Sequence, residues 1–270
     1  MLHGLYKGKI SMHRTVMRLA LVFMLFVPIA GYPGSFKVTP IKVYLEGDNK
    51  VTAIHVVNEG EESVTVQLEA MEWSQNEQGV DQYVTTKDLV IFPKIVSLGK
   101  AEDRIIRLGY QGRPAIARER TYRVYIQELP IQTPGQTGVV MATRFGVPVF
   151  IRPTQVTQEQ EIQAVRMTAQ GLHITIRNTG TQHVITTGIT AIGLNETDAE
   201  VFMKSATGWY VLPGVARTFV LPVSQEECHS IRRVRVAVKV AGKVDIATLE
   251  STRAIDAPQC SSPTGESVTK

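Results

Sequence analysis

Cysteine occurs twice in 270 residues and aromatic residues make up only 7% of the chain. Two cysteines cannot staple a disulfide-dependent mini-protein, and a chain this long supports one large or two modest domains with real cores. Charged residues reach only 20% beside 43% hydrophobic ones, which excludes a disordered or collagen-like chain. Helical bundles are disfavoured too, because Val, Ile and Thr dominate the apolar positions and β-branched side chains suit a pleated surface.

The formal net charge is +4. All of that excess lies in Lys7, Lys9, Arg14 and Arg18, within a stretch that holds no acid. Without them the remaining Lys and Arg balance the 25 acidic residues, so the sequence offers no general cationic face for nucleic acid. The basic stretch is followed by the apolar run Leu19–Val27, then Pro28, Ala30 and Gly31. This order of a basic region, a short apolar run and small residues predicts a signal peptide over residues 1–30, with cleavage between Ala30 and Ser35. The apolar run is about half of the roughly 20 residues that span a bilayer, so the retained membrane anchor is the lesser alternative. The expected product is exported, with no stable membrane insertion.

From Phe36 onward apolar residues alternate with polar ones, as in Ile41, Val43 and Leu45, then Val64, Val66 and Leu68. Period two marks half-buried strands. The alternation continues through Tyr122, Val124 and Ile126, and then from Val139 to Ile151 as one long strand. Turn signals at Glu46–Asn49, Asn58–Gly60 and Gln132–Gly135 separate these runs. Roughly seven strands over 36–152 predict an antiparallel sandwich. A second small sandwich is expected over 153–256, from the alternation at Leu172, Ile174 and Ile176 and at Val234, Val236 and Val238. The fold class is therefore all-β, in two antiparallel β-sandwich domains. Residues 257–270 lack any apolar period and read as a mobile tail unless Cys260 pins them.

Signatures of catalysis are missing: no Gly-x-Ser-x-Gly, no His-Glu-x-x-His and no phosphate-binding glycine loop occurs. His55 and His173 stand within strand patterns without a clustered partner, which argues against a metal site. Glu226 and Glu227 fall in an expected turn. No cofactor is anticipated. Cys228 and Cys260 match no zinc spacing, and an oxidising compartment would let them pair.

The segment Arg118-Glu-Arg-Thr-Tyr-Arg-Val-Tyr-Ile-Gln-Glu-Leu-Pro130, the strand ending Phe150-Ile-Arg-Pro153, and the elements Phe92-Pro93, Leu98 and Ile105–Leu108 carry a family resemblance. They resemble the periplasmic pilus chaperones of the chaperone–usher pathway, the PapD-like family, and more narrowly its archaic-type branch. The resemblance implies pilus subunits and an outer-membrane usher as partners, and two immunoglobulin-like antiparallel β-sandwich domains set at an angle. It implies that Val139, Met141, Thr143, Phe145 and Val147 form a donor strand for an incomplete subunit. It places Lys42 at a cleft position that holds the subunit's terminal carboxylate, while the second basic position of the family falls at Pro148, leaving Arg144 as the expected substitute. Glu119 and Arg152 correspond to members of an interdomain ion network. An exported adhesin or ligand-binding module remains the competing function, and self-association of the free protein is left open.

Overall fold

The computed structural model describes residues 36–47, 49–114, 117–130, 141–241, 246–255 and 260. The leader, Val139, the turn at Gln132–Gly135 and all of the tail but Cys260 lie outside the described residues.

The chain is all-β and forms two sandwiches. In the first, β1 (Phe36–Thr39), β3 (Val51–Asn58), β8 (Asp103–Tyr110) and β6 (Leu89–Phe92) make one sheet in the order β1-β3-β8-β6. The facing sheet runs β2 (Val43–Leu45), β10 (Arg144–Ile151), β9 (Arg120–Glu128), β4 (Val64–Gln75) and β5 (Asp81–Thr85), with β7 (Ile95–Leu98) also paired to β4. Alternation decides which side chains enter the core. Val64, Val66 and Leu68 of β4 and Tyr122, Val124 and Ile126 of β9 all point into it. Burying one such side chain stabilises the fold by roughly 1.5–3 kcal/mol, so no single residue holds the sandwich together.

The first two strands among the described residues go one to each sheet. β1 pairs with β3 in one, and a few residues later β2 lies parallel to β10 in the other. The parallel pairing covers only Val43–Leu45 against Val149–Ile151.

The second domain packs β11 (Gln160–Thr168), β12 (Gly171–Asn178) and β16 (Ala216–Leu221) against β14 (Glu200–Thr207), β13 (Val184–Leu194), β17 (Arg233–Ala241) and β18 (Ile246–Ala254), with β15 (Tyr210–Val211) beside β13. A short helix, α1 (Gln225–Ser230), occupies what the sequence suggests is a turn at Glu226 and Glu227. Ser224 explains it: its hydroxyl accepts from the Glu227 N–H while the Glu227 carboxylate accepts from the Ser224 N–H, so two otherwise orphaned donors are satisfied together. Cys228 on this helix is buried and disulfide-bonded to Cys260, closing a separation of 32 residues.

The long strand expected from Val139 to Ile151 is shorter in the structure, where β10 begins at Arg144. Its partner strand sets the limit. The Glu128 N–H still donates to the Thr143 carbonyl and the Leu129 N–H, by regular alternation, to Thr65 on the β4 side, but the next position that would face β10 is Pro130, which has no N–H to give. The hydrogen bonds between β9 and this strand therefore end at Thr143.

Candidate functional site

Strand β10 presents two faces of different character. Val147, Val149 and Ile151 belong to the core of the first domain. Arg144, Gly146, Pro148 and Phe150, by parity, face outward, toward the second domain at the Phe150 end.

Among the described residues no strand lies beside β10 on its β2 side from Arg144 to Pro148, because the pairing with β2 starts only at Val149. Among the described residues nothing pairs with the backbone on this side, and exposed apolar side chains stand next to it. Met141 is 78% exposed and Phe145 40% exposed. The Phe145 ring meets Phe36 of β1 edge-on at 5.0 Å, so the open edges of both sheets adjoin on one side of the sandwich. Thr143 is half-buried and ties its N–H to a Glu128 carboxylate oxygen at 3.2 Å. Val147 corrects the sequence reading: at 3% exposure it is committed to its own core, so the run of side chains open to a partner ends at Phe145.

Lys42 lies just before β2, next to the outward-facing Pro148 row, and its Nζ sits 5.7 Å from the centroid of the Tyr210 ring in the second domain. With Tyr44, Arg152, Gln182, His183 and Ile185 it lines a cavity of about 210 Å³ between the domains. Burial pushes the Tyr44 and Tyr210 hydroxyls above their ordinary pKa, so both remain neutral hydrogen-bonding groups beside these cations.

Arg144 does not join Lys42. It stands opposite Gln127 at the far end of β10, four residues from Pro148, which at strand rise is about 13 Å. Its guanidinium rests 3.8 Å above the Tyr125 ring instead. The cation next to Pro148 is one that sequence reading overlooks. Arg123 is paired directly with Pro148 on the adjoining strand, shares its outward face, and lies over Trp73 at 4.4 Å and Tyr83 at 5.5 Å. No carboxylate pairs with Arg123 among the described residues, and its buried Nε has no hydrogen-bond partner. Gly146 makes room for this arrangement, since a Cβ there would come within 3.0 Å of the Arg123 side chain and 3.2 Å of Tyr125.

Glu119 and Arg152 do not meet either. Arg152 pairs with Glu46 of its own domain at 3.1 Å and stacks on Tyr44. Glu119 reaches the second domain by itself. One of its oxygens accepts from the His183 backbone N–H at 3.0 Å and contacts the ring Nδ1 at 2.7 Å, and its own N–H donates to Thr181. The His183 ring in turn stacks on Phe150 at 3.8 Å.

Two more side chains complete this junction. The Gln75 amide accepts from Leu212 N–H and donates to the Tyr210 carbonyl, behaving as an added length of strand. Asp81 accepts from Trp73, Gln75 and the second domain's Trp209, at 3.1, 2.8 and 2.8 Å. Trp73, Phe150 and Leu212 form a small apolar core of their own where the domains meet.

Among the described residues no helix is long and apolar enough to cross a membrane, and no group of three or more His, Cys, Asp and Glu side chains is placed to hold a metal ion.

Residues 35–157 match the family described as pili and flagellar-assembly chaperone, PapD N-terminal domain. No curated protein matches the sequence. Among solved structures, the chain is similar to one in the CsuC–CsuE chaperone–tip adhesion subunit pre-assembly complex from archaic chaperone–usher Csu pili of Acinetobacter baumannii. The identity is 17% and the TM-score 0.59, covering 80% of this chain and 97% of that one. A chain of the Salmonella enterica SafA pilin complex with the SafB chaperone is 15% identical with a TM-score of 0.54, over 82% and 98% of the two chains. The E. coli chaperone DraB is 15% identical with a TM-score of 0.51, over 82% and 97%. At these identities the solved structures establish the two-sandwich fold, and the family model places the PapD-type likeness on the first domain.

Proposed function

We propose that this chain, whose first domain is of the PapD type, is a periplasmic chaperone that holds incomplete immunoglobulin-like pilus subunits and passes them to an outer-membrane usher. One observation carries the reading: the unpaired stretch of β10 sits beside exposed apolar side chains and ends at a cationic cleft. A subunit lacking a strand exposes an apolar groove and an open ladder. A strand edge offering Met141 and Phe145, with free backbone groups between them, supplies both missing parts. Val139 extends the same alternation in sequence. The subunit's terminal carboxylate then meets Lys42, and Arg123 supplies the second cation across Pro148, with a planar fork suited to a carboxylate. The work is binding and release, with no covalent step.

Export follows from the leader, and the balanced charge of the remaining sequence suits a protein partner better than a polyanion. The test is recovery of the tagged chain from periplasm, followed by intact-mass measurement of everything that elutes. The expected result is a chain lacking its leader, with a roughly stoichiometric small β-rich subunit whose loss accompanies Met141→Asp. Recovery of the chain alone from cells that express its pilus genes, or with the leader still attached, would overturn the proposal.

A further inference from the structure

We infer that Arg144 reads an acidic side chain about four residues before the C-terminus of the bound subunit strand, and so selects among subunits. This rests on the chaperone reading above and adds to it the charge pattern of the strand that is held.

The direction of the guest strand follows from the two ends of the site. A strand that lies along the open edge of β10 and ends with its carboxylate at Lys42 and Arg123 must run parallel to β10, toward Ile151. Its last residues then lie beside the Pro148 row and its earlier residues beside Arg144. Pro148 and Arg144 are four positions apart with the same parity. The guest residue beside Arg144 is therefore about four residues upstream of the terminus, and its side chain faces the same outward side.

Arg144 is prepared for such a neighbour. Its guanidinium rests over the Tyr125 ring at 3.8 Å, a contact that leaves its N–H groups available. Among the described residues it pairs with no carboxylate. The acids nearest in the sheet are Glu69, which pairs with Tyr125 one strand further in, and Glu128, which is turned to the Thr143 amide. Gly146, between Arg144 and Pro148, carries no side chain of its own on that face; the room above it is taken by Arg123 and Tyr125, which reach over from β9 and not from the open edge where the guest strand lies.

A lysine at the matching guest position would face Arg144 with like charge, and directly opposed like charges are unfavourable across a ladder. Discrimination thus arises from attraction of one class and rejection of another.

Ten-residue peptides of alternating valine and threonine, free at the C-terminus and carrying Glu, Gln or Lys at the fifth residue from the end, would be titrated into the full-length mature protein by fluorescence anisotropy. The Glu peptide is expected to bind about fivefold more tightly than the Gln peptide, the size of an exposed ion pair, and the Lys peptide more weakly than either. Arg144→Gln should remove the order, and Arg144→Glu should reverse it. The same peptides with amidated termini report on Lys42 and Arg123 separately. An unchanged Glu preference in Arg144→Gln, with the acid-over-amide preference intact, would overturn the role of Arg144 and leave the chaperone reading standing. Absence of any acid-over-amide preference, or of binding by all peptides, would overturn both.

Discussion

Glu119 and His183 lie 64 positions apart in sequence and share one carboxylate oxygen between two donors, the His183 backbone N–H and its ring Nδ1. Because a carboxylate can only accept, the ring proton is assigned to Nδ1. The pair is almost wholly shielded from water, with side-chain exposures of 0% and 7%. It therefore fixes the second domain against the end of β9 with a contact that solvent does not replace.

Glu119→Ala is expected to lower the stability of the folded chain by about 2–4 kcal/mol, since two buried donors lose their acceptor. Chemical denaturation measures the loss, and small-angle scattering should show the domains less tightly fixed. Unchanged stability and scattering would mean that water takes over the role of the carboxylate.

Met141→Asp and Phe145→Asp should each weaken subunit capture by roughly 1.5–3 kcal/mol through lost apolar burial, while melting changes little for Met141 and by about 1 kcal/mol for Phe145, which also touches Phe36. Val147→Asp is the contrast, because it puts a charge into the core and should unfold the first domain. Equal melting losses in all three variants would place the whole stretch in the chaperone's own core.

Lys42→Ala is expected to reduce capture by about 1.5–3 kcal/mol with the melting temperature nearly unchanged, and Arg123→Gln by a similar amount. The combined variant should lose less than the sum, because both groups act on one carboxylate. Full capture by a folded Lys42→Ala protein would remove the cleft from the binding site.

Reduction of Cys228–Cys260, or Cys228→Ser, should destabilise the second domain by about 3 kcal/mol by freeing a 32-residue separation in the unfolded chain. Domain-resolved hydrogen exchange should place the change there and leave the first domain unaffected.

Acid should weaken the second domain through Glu227. The Lys204 ammonium, followed by the Ser224 amide, holds its carboxyl below the usual carboxylate range. A pKa depressed by folding means that the folded state prefers the ionised form. The contribution is complete above the ordinary value of about 4.3 and is lost as pH falls through the depressed one. Denaturation midpoints of wild type and Glu227→Gln should therefore converge on acidification below about pH 4.5.

What could be read from sequence was whatever repeats within a few residues. Val64, Val66 and Leu68 announce a strand because one sheet face is buried. Ser224 and Glu227 also carried a local signal, a capping box, which the expectation of a turn passed over. Gln75 and Asp81 gave none: their partners Leu212 and Trp209 lie 137 and 128 positions away, and an exposed polar residue has the same sequence appearance as one that clasps a second domain. Arg123 was hidden for a related reason. Its place beside Pro148 depends on strand register, which alternation narrows but does not number.

The tip of the β4–β5 hairpin carries its own consequence. Gly79, at φ +74°, lies so close to the second domain that a Cβ would come within 2.6 Å of Arg217, whose guanidinium donates to the Gly79 carbonyl. The covalent passage between domains after Ile151 and this tip are two separate mounts, and a body held at two mounts resists torque that one would allow. A guest strand that ends in the cleft between the domains then arrives at a frame already set, and little of its binding energy is consumed in bringing the halves to order.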